Sequence, residues 1–287
     1  MTTLNHKIDF AVILSVSKAN PNGDPLNGNR PRQNFDGFGE ISDVAIKRKI
    51  RNRLMDLGEN IFVQSQDRTL DSFKSLKDRA SANEELDKIL KSKEKSDERF
   101  AEIACEEWID VRGFGQVFAF KGTGSGKGVS VGVRGPVSVQ TATSVDPINI
   151  TSTQITKSVN SETTDKRGSD TMGMKHRVDF GVYVFKGSIN TQLAEKTGFT
   201  EEDANRIKEA LISLFENDAS SARPEGSMEV QKVYWWEHNS KLGQYSSAKV
   251  HRSLKIEKKT DEPMAFEDYE VILNNLEGLS VEEIDGR

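Results

Sequence analysis

Four stretches of the chain have the hydrophobic pattern of β-strands. His6–Ser17 and Val178–Lys186 each have a continuous apolar centre, which is typical of a strand that is buried on both faces. Val129–Val139 alternates valine with small or polar residues, and a Gly-Pro pair interrupts it. Met228–His238 is predicted as the last strand of the core. Together the four stretches predict one sheet.

Two stretches predict amphipathic helices that pack against this sheet. In Ser42–Leu57, apolar residues recur with helical spacing, and Ser42 is a good N-cap. In Thr200–Glu216, Thr200 is the predicted cap, and Asp203 follows it in the capping-box position. Both helices therefore have a defined start and one apolar face.

The order strand, helix, strand, strand, helix, strand is the ferredoxin-like or RRM-type pattern, so the predicted fold class is α+β. The polar stretch 58–128 is predicted as an insertion after the first helix. The stretch between the two middle strands is rich in Thr, Ser, Asp and Lys, which predicts a protruding β-hairpin. The predicted organisation is a core of residues 1–57, 129–139 and 178–240, the insertion at 58–128, the hairpin at 140–177 and an acidic C-terminal segment at 241–287.

The connection between the first strand and the first helix is long and rich in Asn, Gly and Pro. Such a connection inside a domain is usually functional or disordered. Its backbone can point N–H groups at an anion, and the helix that follows carries several Lys and Arg outside its apolar face. The pattern predicts a cradle for a phosphate backbone; the alternative is a plain connection before a solvated helix face. The candidate contacts are Asn20, Asn22, Asn29, Arg30, Arg32, Ser42, Lys47, Arg48 and Arg51.

This stretch closely resembles a known family. NPNGDPLNGNRPR followed by SDVAIKRKIRN is similar to the opening of the CRISPR-associated RAMP-superfamily backbone subunit of Cascade, the "Cas seven" family. It looks most like the type I-C (Csd) version. The resemblance recurs in VGVRGPVSVQTATSVDPINITSTQITKSVN, in MGMKHRVDFGVYVFKG and in GFTEEDANRIKEALISLFENDASSARPEG. It covers nearly the whole chain, least clearly at residues 58–116 and near the C-terminus.

The resemblance implies an RRM-type palm, with the insertion as a finger and the hairpin at 140–177 as a thumb. It also implies that several copies polymerise along guide RNA (crRNA), hold its phosphates and push their thumbs between bases. The guide then pairs with target DNA, beside other Cascade subunits. Met172 and Met174 are expected either to wedge between bases or to pack in the ordinary way. The candidate contacts in this part of the chain are Arg134, Gln140, Gln154, Lys157, Met172, Met174, Lys175 and His176.

The net charge of -5 does not indicate a nucleic-acid binder, but the charge is unevenly distributed. The opening stretch is basic, whereas residues 257–285 are acidic, which suits a protein that repeats head to tail or one that binds an anion locally. The single cysteine, Cys105, excludes an internal disulfide, predicts a reducing compartment and is expected in the core. The first residues are not a signal peptide, and no apolar run approaches the length of a membrane span. We therefore expect a cytoplasmic protein.

No complete catalytic motif is present. KGTGSGKG at residues 121–128 lacks the first glycine and the final hydroxyl of a P-loop, so it is predicted to be a flexible glycine loop. The four histidines are scattered without Cys or His partners, and neither a metal nor a cofactor is expected. Asp24, Asp36 and Asp43 lie in or near the opening loop, where turn formation and helix capping explain them. By resemblance, however, type III relatives use a loop aspartate in this region to cleave target RNA.

The expected function is that of a non-catalytic, guide-RNA-binding backbone subunit of a type I-C Cascade surveillance complex in antiviral defence. The first strand lacks an aromatic row, so base stacking on the sheet is not expected. Two alternatives stay open: a RAMP-type endoribonuclease that cleaves target RNA, and a generic single-stranded RNA-binding protein without an assembly role.

Overall fold

The computed structural model describes residues 2–94, 96–156 and 172–287, with only the backbone at Met172. Within these residues, no helix is both long enough and apolar enough to cross a membrane. The strands are β1 (Ile8–Ala19), β2 (Gly23–Asp24), β3 (Arg30–Pro31), β4 (Phe38–Ile41), β5 (Gly115–Phe120), β6 (Val129–Arg134), β7 (Val137–Val139), β8 (Ala142–Pro147), β9 (Ile150–Thr156), β10 (Met172–Ile189), β11 (Met228–Glu237), β12 (Leu254–Lys258), β13 (Tyr269–Leu273) and β14 (Ser280–Asp285). The helices are α1 (Asp43–Asp56), α2 (Leu76–Ser81), α3 (Glu84–Lys91), α4 (Asp97–Glu107), α5 (Ile109–Phe114), α6 (Thr191–Thr197), α7 (Glu201–Ile212) and α8 (Ser247–Ser253). Short 3₁₀ turns occupy Pro25–Asn27 and Phe266–Asp268.

The main sheet has the strand order β14-β11-β1-β10-β8-β4, and neighbouring strands are antiparallel. β7 and β9 also pair with β10, the longest strand. The central strand β1 is buried on both faces because its side chains alternate between two cores. Phe10, Val12 and Leu14 face one core, while Ala11 and Ile13 face the other. This explains the continuous apolar centre of its sequence.

The first core lies between the sheet and the helices α1 and α7, which present their apolar stripes to it. Both predicted N-caps form. Ser42 Oγ accepts a hydrogen bond from Ala45 N at 3.3 Å. Thr200 Oγ1 accepts from Asp203 N at 3.1 Å, and Asp203 Oδ2 accepts from Thr200 N at 2.8 Å. The two helices therefore begin where their sequences predict.

The opposite face of the sheet is covered by the C-terminal segment, which was predicted only as an acidic stretch. Val250, Leu254 and Tyr269, from α8 and the β12–β13 hairpin, pack in one core with Tyr234 and Trp236. β14 pairs with β11, so β11 is not the last strand. The pattern of this segment was hard to recognise because charged residues occupy the exposed side of its short strands.

The insertion has a core of its own, built around Phe62, Phe100, Trp108 and Phe118. It extends beyond its predicted end, because the stretch 129–139 is not one palm strand. Its first part, β6, pairs with β5 inside the insertion, whereas its second part, β7, pairs with β10 in the main sheet. The Gly-Pro pair at 135–136 separates the two parts.

Two features of the insertion that raised chemical questions have structural explanations. Cys105 is buried in the insertion core, where burial raises the pKa of its thiol to about 11. The glycine loop at residues 121–128 joins β5 to β6 and packs against backbone. A Cβ on Gly126 would lie 2.3 Å from Leu90 O, so close packing explains a glycine there.

The protruding hairpin begins later than the predicted range 140–177. Residues 142–147 form β8, which pairs with β10 and with β4 in the main sheet. The hairpin itself consists of β9 and the first part of β10, from Met172 to Val178. The sequence also offers a turn candidate at Arg167-Gly168, which lies outside the described residues. We call the paired segments 150–156 and 172–178 the β9–β10 hairpin.

Candidate nucleic-acid interface

The loop between β1 and α1 is held in shape by its own amides. Asn20 Nδ2 donates to Asn29 O at 2.7 Å, and Asn20 is buried. Asn22 Oδ1 accepts from Ser42 N at 2.9 Å and from Ser42 Oγ at 3.0 Å. These side chains fix the β2–β3 hairpin against the start of α1. Three predicted contacts, Asn20, Asn22 and Ser42, thus have a direct structural role in the loop.

Arg30 joins this loop to the β9–β10 hairpin. Its Nη1 donates to Ser152 Oγ at 3.0 Å, and Ser152 Oγ lies 2.8 Å from His176 Nδ1. Ser152 pairs with His176, and Gln154 pairs with Met174 two residues further along. Opposed and alternate residues share one face of a hairpin. The fold therefore brings the predicted residues Arg30, Gln154, Met174 and His176 to one surface, which we call the loop–hairpin surface.

Lys175 pairs with Thr153 and therefore lies on the other face of the hairpin. Ser152 was not among the predicted residues. The Ser/Thr/Gln-rich composition of its strand was the only signal for it. Lys157 and the side chain of Met172 lie outside the described residues.

A polar cavity of about 270 Å³ opens between the strands of the loop. Its lining includes the guanidinium groups of Arg30 and Arg32 and the carboxylates of Asp24 and Glu40. Arg32 Nη2 lies 3.6 Å from Asp24 Oδ1. The charges of the two cations and the two anions balance, so the cavity offers both donors and acceptors without a strong net charge.

The predicted basic face of α1 is largely occupied by contacts within the chain. Each of its three candidate residues has a partner: Lys47 Nζ lies 3.1 Å from Asp43 Oδ2, Arg48 Nη1 donates to Val63 O at 2.6 Å, and Arg51 Nε donates to Asp110 Oδ2 at 2.9 Å. Burial lowers the pKa of Arg48 from its ordinary value. Arg48 and Arg51 have these partners because the insertion packs against the polar side of the helix. Lys47 is more exposed than Arg51, at 25% against 12% of the side chain, and its partner lies one turn away on the same helix.

The chain also matches a known family by sequence. The model of the family described as CRISPR-associated protein Cas7 matches residues 6–274. The chain belongs to the Cas7 family. The family resemblance of the opening loop and helix is thereby confirmed.

A curated relative and solved structures are also similar to this Cas7-family chain. The CRISPR-associated protein Cas7 of Haloferax volcanii is 26% identical over 235 residues, which cover 77% of this chain and 67% of the relative. A chain of a solved "CRISPR RNA-guided surveillance complex, pre-nicking" has a TM-score of 0.51 at 17% identity, with 80% of this chain and 75% of that chain covered. This similarity shows a shared mixed fold with a large antiparallel sheet. A chain of a second "CRISPR RNA-guided surveillance complex" has a TM-score of 0.45 at 15% identity and covers 80% and 68% of the two chains.

Two further predicted residues of this Cas7-family chain lie outside the loop–hairpin surface. Arg134 is exposed at the end of β6, opposite Gly115 in the insertion sheet. Gln140 is exposed before β8, and its backbone N donates to Lys186 O at 2.8 Å. Gln140 and Lys186 line a groove of about 350 Å³ beside the C-terminal segment. Neither residue has a described contact with Arg30 or His176.

The sheet of this Cas7-family chain is not an open platform for base stacking. Tyr234 and Trp236 on β11 lie on the face that is free in an RRM, and both are buried under the C-terminal segment. Phe180 on β10 packs against the same core and is half-buried. Coverage of these rings by a second layer supports the prediction that bases do not stack on the sheet.

The three aspartates of the opening region have different environments. Asp24 caps the first 3₁₀ turn and lies near Arg32. Asp43 pairs with Lys47 on α1, and Asp36 is exposed in a turn. Across residues 2–94, 96–156 and 172–287, no group of three or more His, Cys, Asp or Glu residues is arranged to hold a metal ion.

Proposed function

We propose that this Cas7-family chain is a guide-RNA-binding backbone subunit of a type I-C Cascade complex. One observation carries the proposal: Arg30 of the opening loop is bonded to the β9–β10 hairpin through Ser152 and His176. The loop and the hairpin thus form one surface with cationic and amide groups, which suits the sugar–phosphate backbone of a single strand.

The strand order supports a ferredoxin-like palm in this proposal. β11, β1, β10 and β7 lie side by side in the order 4-1-3-2 of that pattern, and α1 and α7 cover one face. The insertion then corresponds to the finger and the β9–β10 hairpin to the thumb. Its partners are crRNA, further copies of the chain, other Cascade subunits and, through the guide, target DNA.

The cationic side chains that the fold leaves accessible are the ones proposed to contact phosphates. Arg30 is the first of these, and Lys47, which is more exposed than Arg51, is the second. Arg48 and Arg51 contribute mainly through the fold, because the insertion occupies their guanidinium groups. Phosphate contacts carry no sequence information, so base pairing of the guide supplies the specificity.

The assembly is proposed to be a head-to-tail filament along the guide, since heterologous contacts generate open arrays. The acidic residues of β14 form exposed ion pairs within the chain. Glu282 Oε2 lies 2.8 Å from Lys208 Nζ, and Glu283 and Asp285 both bind Lys232. Multimers that grow with RNA length support the filament, whereas a dimer of one size at every RNA length contradicts it.

The decisive experiment compares Arg30→Ala with Arg99→Ala in binding to a labelled single-stranded RNA over a salt series. Arg99 is an exposed arginine of the insertion, bonded to Glu102 and far in sequence from the loop, so it is the matched control. Loss of one phosphate contact by Arg30→Ala reduces the slope of log affinity against log salt by about 0.7. Affinity and slope equal to those of Arg99→Ala contradict the proposed surface.

Purification of the protein together with its bound RNA separates this function from the two alternatives, the endoribonuclease and the generic single-strand binder. A backbone subunit yields RNA of defined length in a large particle, and that RNA stays intact with magnesium present. Cleavage that Asp24→Ala or Asp36→Ala abolishes supports the endoribonuclease instead. Monomers with RNA of mixed length support the generic single-strand binder.

A further inference from the structure

A fully exposed aromatic side chain stands at the tip of the opening loop. Phe35 is 103% exposed in the turn Asn34–Gly37. Among the described residues, the next most exposed aromatic is Phe73, at 37%, which faces the guanidinium of Arg79. A phenylalanine in water with no packing partner has no role in holding this fold together.

Hydrogen bonds fix the turn that carries Phe35. Asn34 Oδ1 accepts from Asp36 N at 3.0 Å and from Phe38 N at 2.9 Å. Gln33 Nε2 donates to Gly37 O at 3.1 Å and to Ile148 O at 3.0 Å, which ties the turn to β8 and β9. The aromatic ring is therefore presented from a braced turn, and little backbone entropy is lost when a ligand meets it.

The surroundings of Phe35 match those of a single-strand binding site. Asn34 borders the polar cavity that also contains Arg30 and Arg32, and Arg30 continues to the β9–β10 hairpin. Proteins that bind single strands combine basic side chains, as Arg30 and Arg32 provide here, with aromatic rings on which bases stack. On the sheet, Tyr234 and Trp236 are buried and Phe180 is half-buried, so Phe35 is the more accessible ring.

Asp36, the neighbour of Phe35, favours contact with a base over contact with a phosphate. Asp36 is exposed, and its carboxylate repels a phosphate group at the tip. A carboxylate does accept hydrogen bonds from the exocyclic amino groups of bases. The pair of residues therefore favours the face and edge of a base over the backbone of the strand.

We propose that Phe35 is a stacking platform for one nucleobase of the bound single strand. The inference rests on the proposed RNA-binding function and adds a base-contacting residue to it. Stacking tolerates any base, because every base has an aromatic face. Phe35 thus orients one base per subunit without reading its identity.

The test compares Phe35→Ala with Leu26→Ala in binding to a labelled oligoadenylate over a salt series. Leu26 is 98% exposed in the same loop and is not aromatic, so it controls for loss of exposed apolar surface. Loss of one stacked base weakens binding by about 5-fold to 140-fold. The salt slope stays unchanged in Phe35→Ala because no phosphate contact is lost, in contrast to Arg30→Ala. Leu26→Ala binds like the unmodified protein.

A Phe35→Trp variant provides a direct readout. The three native tryptophans, Trp108, Trp235 and Trp236, are buried, so the new indole reports on the tip. Stacking quenches its fluorescence when oligoadenylate is added, and the variant keeps its affinity.

The outcomes separate this inference from the proposed function. If Arg30→Ala weakens binding and Phe35→Ala does not, the phosphate surface stands and the stacking platform is wrong. If Phe35→Ala abolishes multimers without changing the affinity of a single subunit for RNA, the tip contacts another protein chain, and the inference is likewise overturned. Absence of quenching in Phe35→Trp at saturating RNA also contradicts it.

Discussion

Substitution of Asp110 by alanine tests how firmly the insertion is joined to the palm. The carboxylate is buried and accepts three hydrogen bonds, from Arg51 Nε at 2.9 Å, Phe62 N at 2.7 Å and Val63 N at 3.1 Å. It therefore connects α1, the first residues of the insertion and α5. Alanine removes all three acceptor contacts at once.

The expected loss follows from what remains after the substitution. The Arg51 side chain is 12% exposed, so its charge is left largely buried without its partner. Breaking a buried ion pair in this way costs about 3–5 kcal/mol. This is a large share of the roughly 5–15 kcal/mol by which proteins are stable. The corresponding fall in melting temperature is on the order of 10 °C.

Urea unfolding followed by tryptophan fluorescence measures this loss for Asp110→Ala. Glu102→Ala is the control, since Glu102 binds Arg99 at 3.1 Å in an exposed pair that contributes less than about 1 kcal/mol. A loss for Asp110→Ala no larger than that of the control refutes the reasoning. A double variant with Arg51→Ala should lose less than the sum of the two single variants, because the buried charge is removed as well. The stability of Arg51 variants must therefore be measured before any loss of RNA binding is interpreted.

Three further predictions concern stability and reactivity. Burial lowers the pKa of Lys49 to about 8, so the folded protein loses this proton at a lower pH than the unfolded chain does. The free energy of unfolding, relative to that of Lys49→Met, should therefore rise from about pH 8 to about pH 10.5, and urea unfolding curves across that range measure the rise. Gly39→Ala places a Cβ 2.3 Å from Tyr183 Oη and should cost about 1–3 kcal/mol in urea unfolding, whereas Gly132→Ala, with open space around it, should cost less than about 0.5 kcal/mol. Cys105, whose thiol pKa burial raises to about 11, should react slowly with a thiol reagent at neutral pH and rapidly after unfolding in urea.

Local sequence was sufficient for the elements that position the candidate site. The strand at His6–Ser17, the helix with its cap at Ser42 and the capping box at Thr200 all form as predicted. Each depends on residues within a few positions of one another, through side-chain period and hydrogen bonds to the nearest backbone groups. The family resemblance was carried by the same short stretches and is confirmed.

Contacts between distant parts of the chain could not be predicted from these patterns. Arg30 meets Ser152 across 122 positions, and Arg51 meets Asp110 across 59. A helix pattern shows that Arg51 lies off the apolar stripe, but it does not show whether water, RNA or another segment faces it. The insertion provides the buried carboxylate, so a residue that was predicted to bind RNA also joins two parts of the fold.

Two aromatic residues illustrate the same limit. Trp236 and Phe35 are both large apolar residues in the sequence, yet one is buried beneath the C-terminal segment and the other is fully exposed at a turn. Hydrophobicity favours burial of both. The outcome depends on which surface another segment covers, and that is set by the packing of layers that lie far apart along the chain.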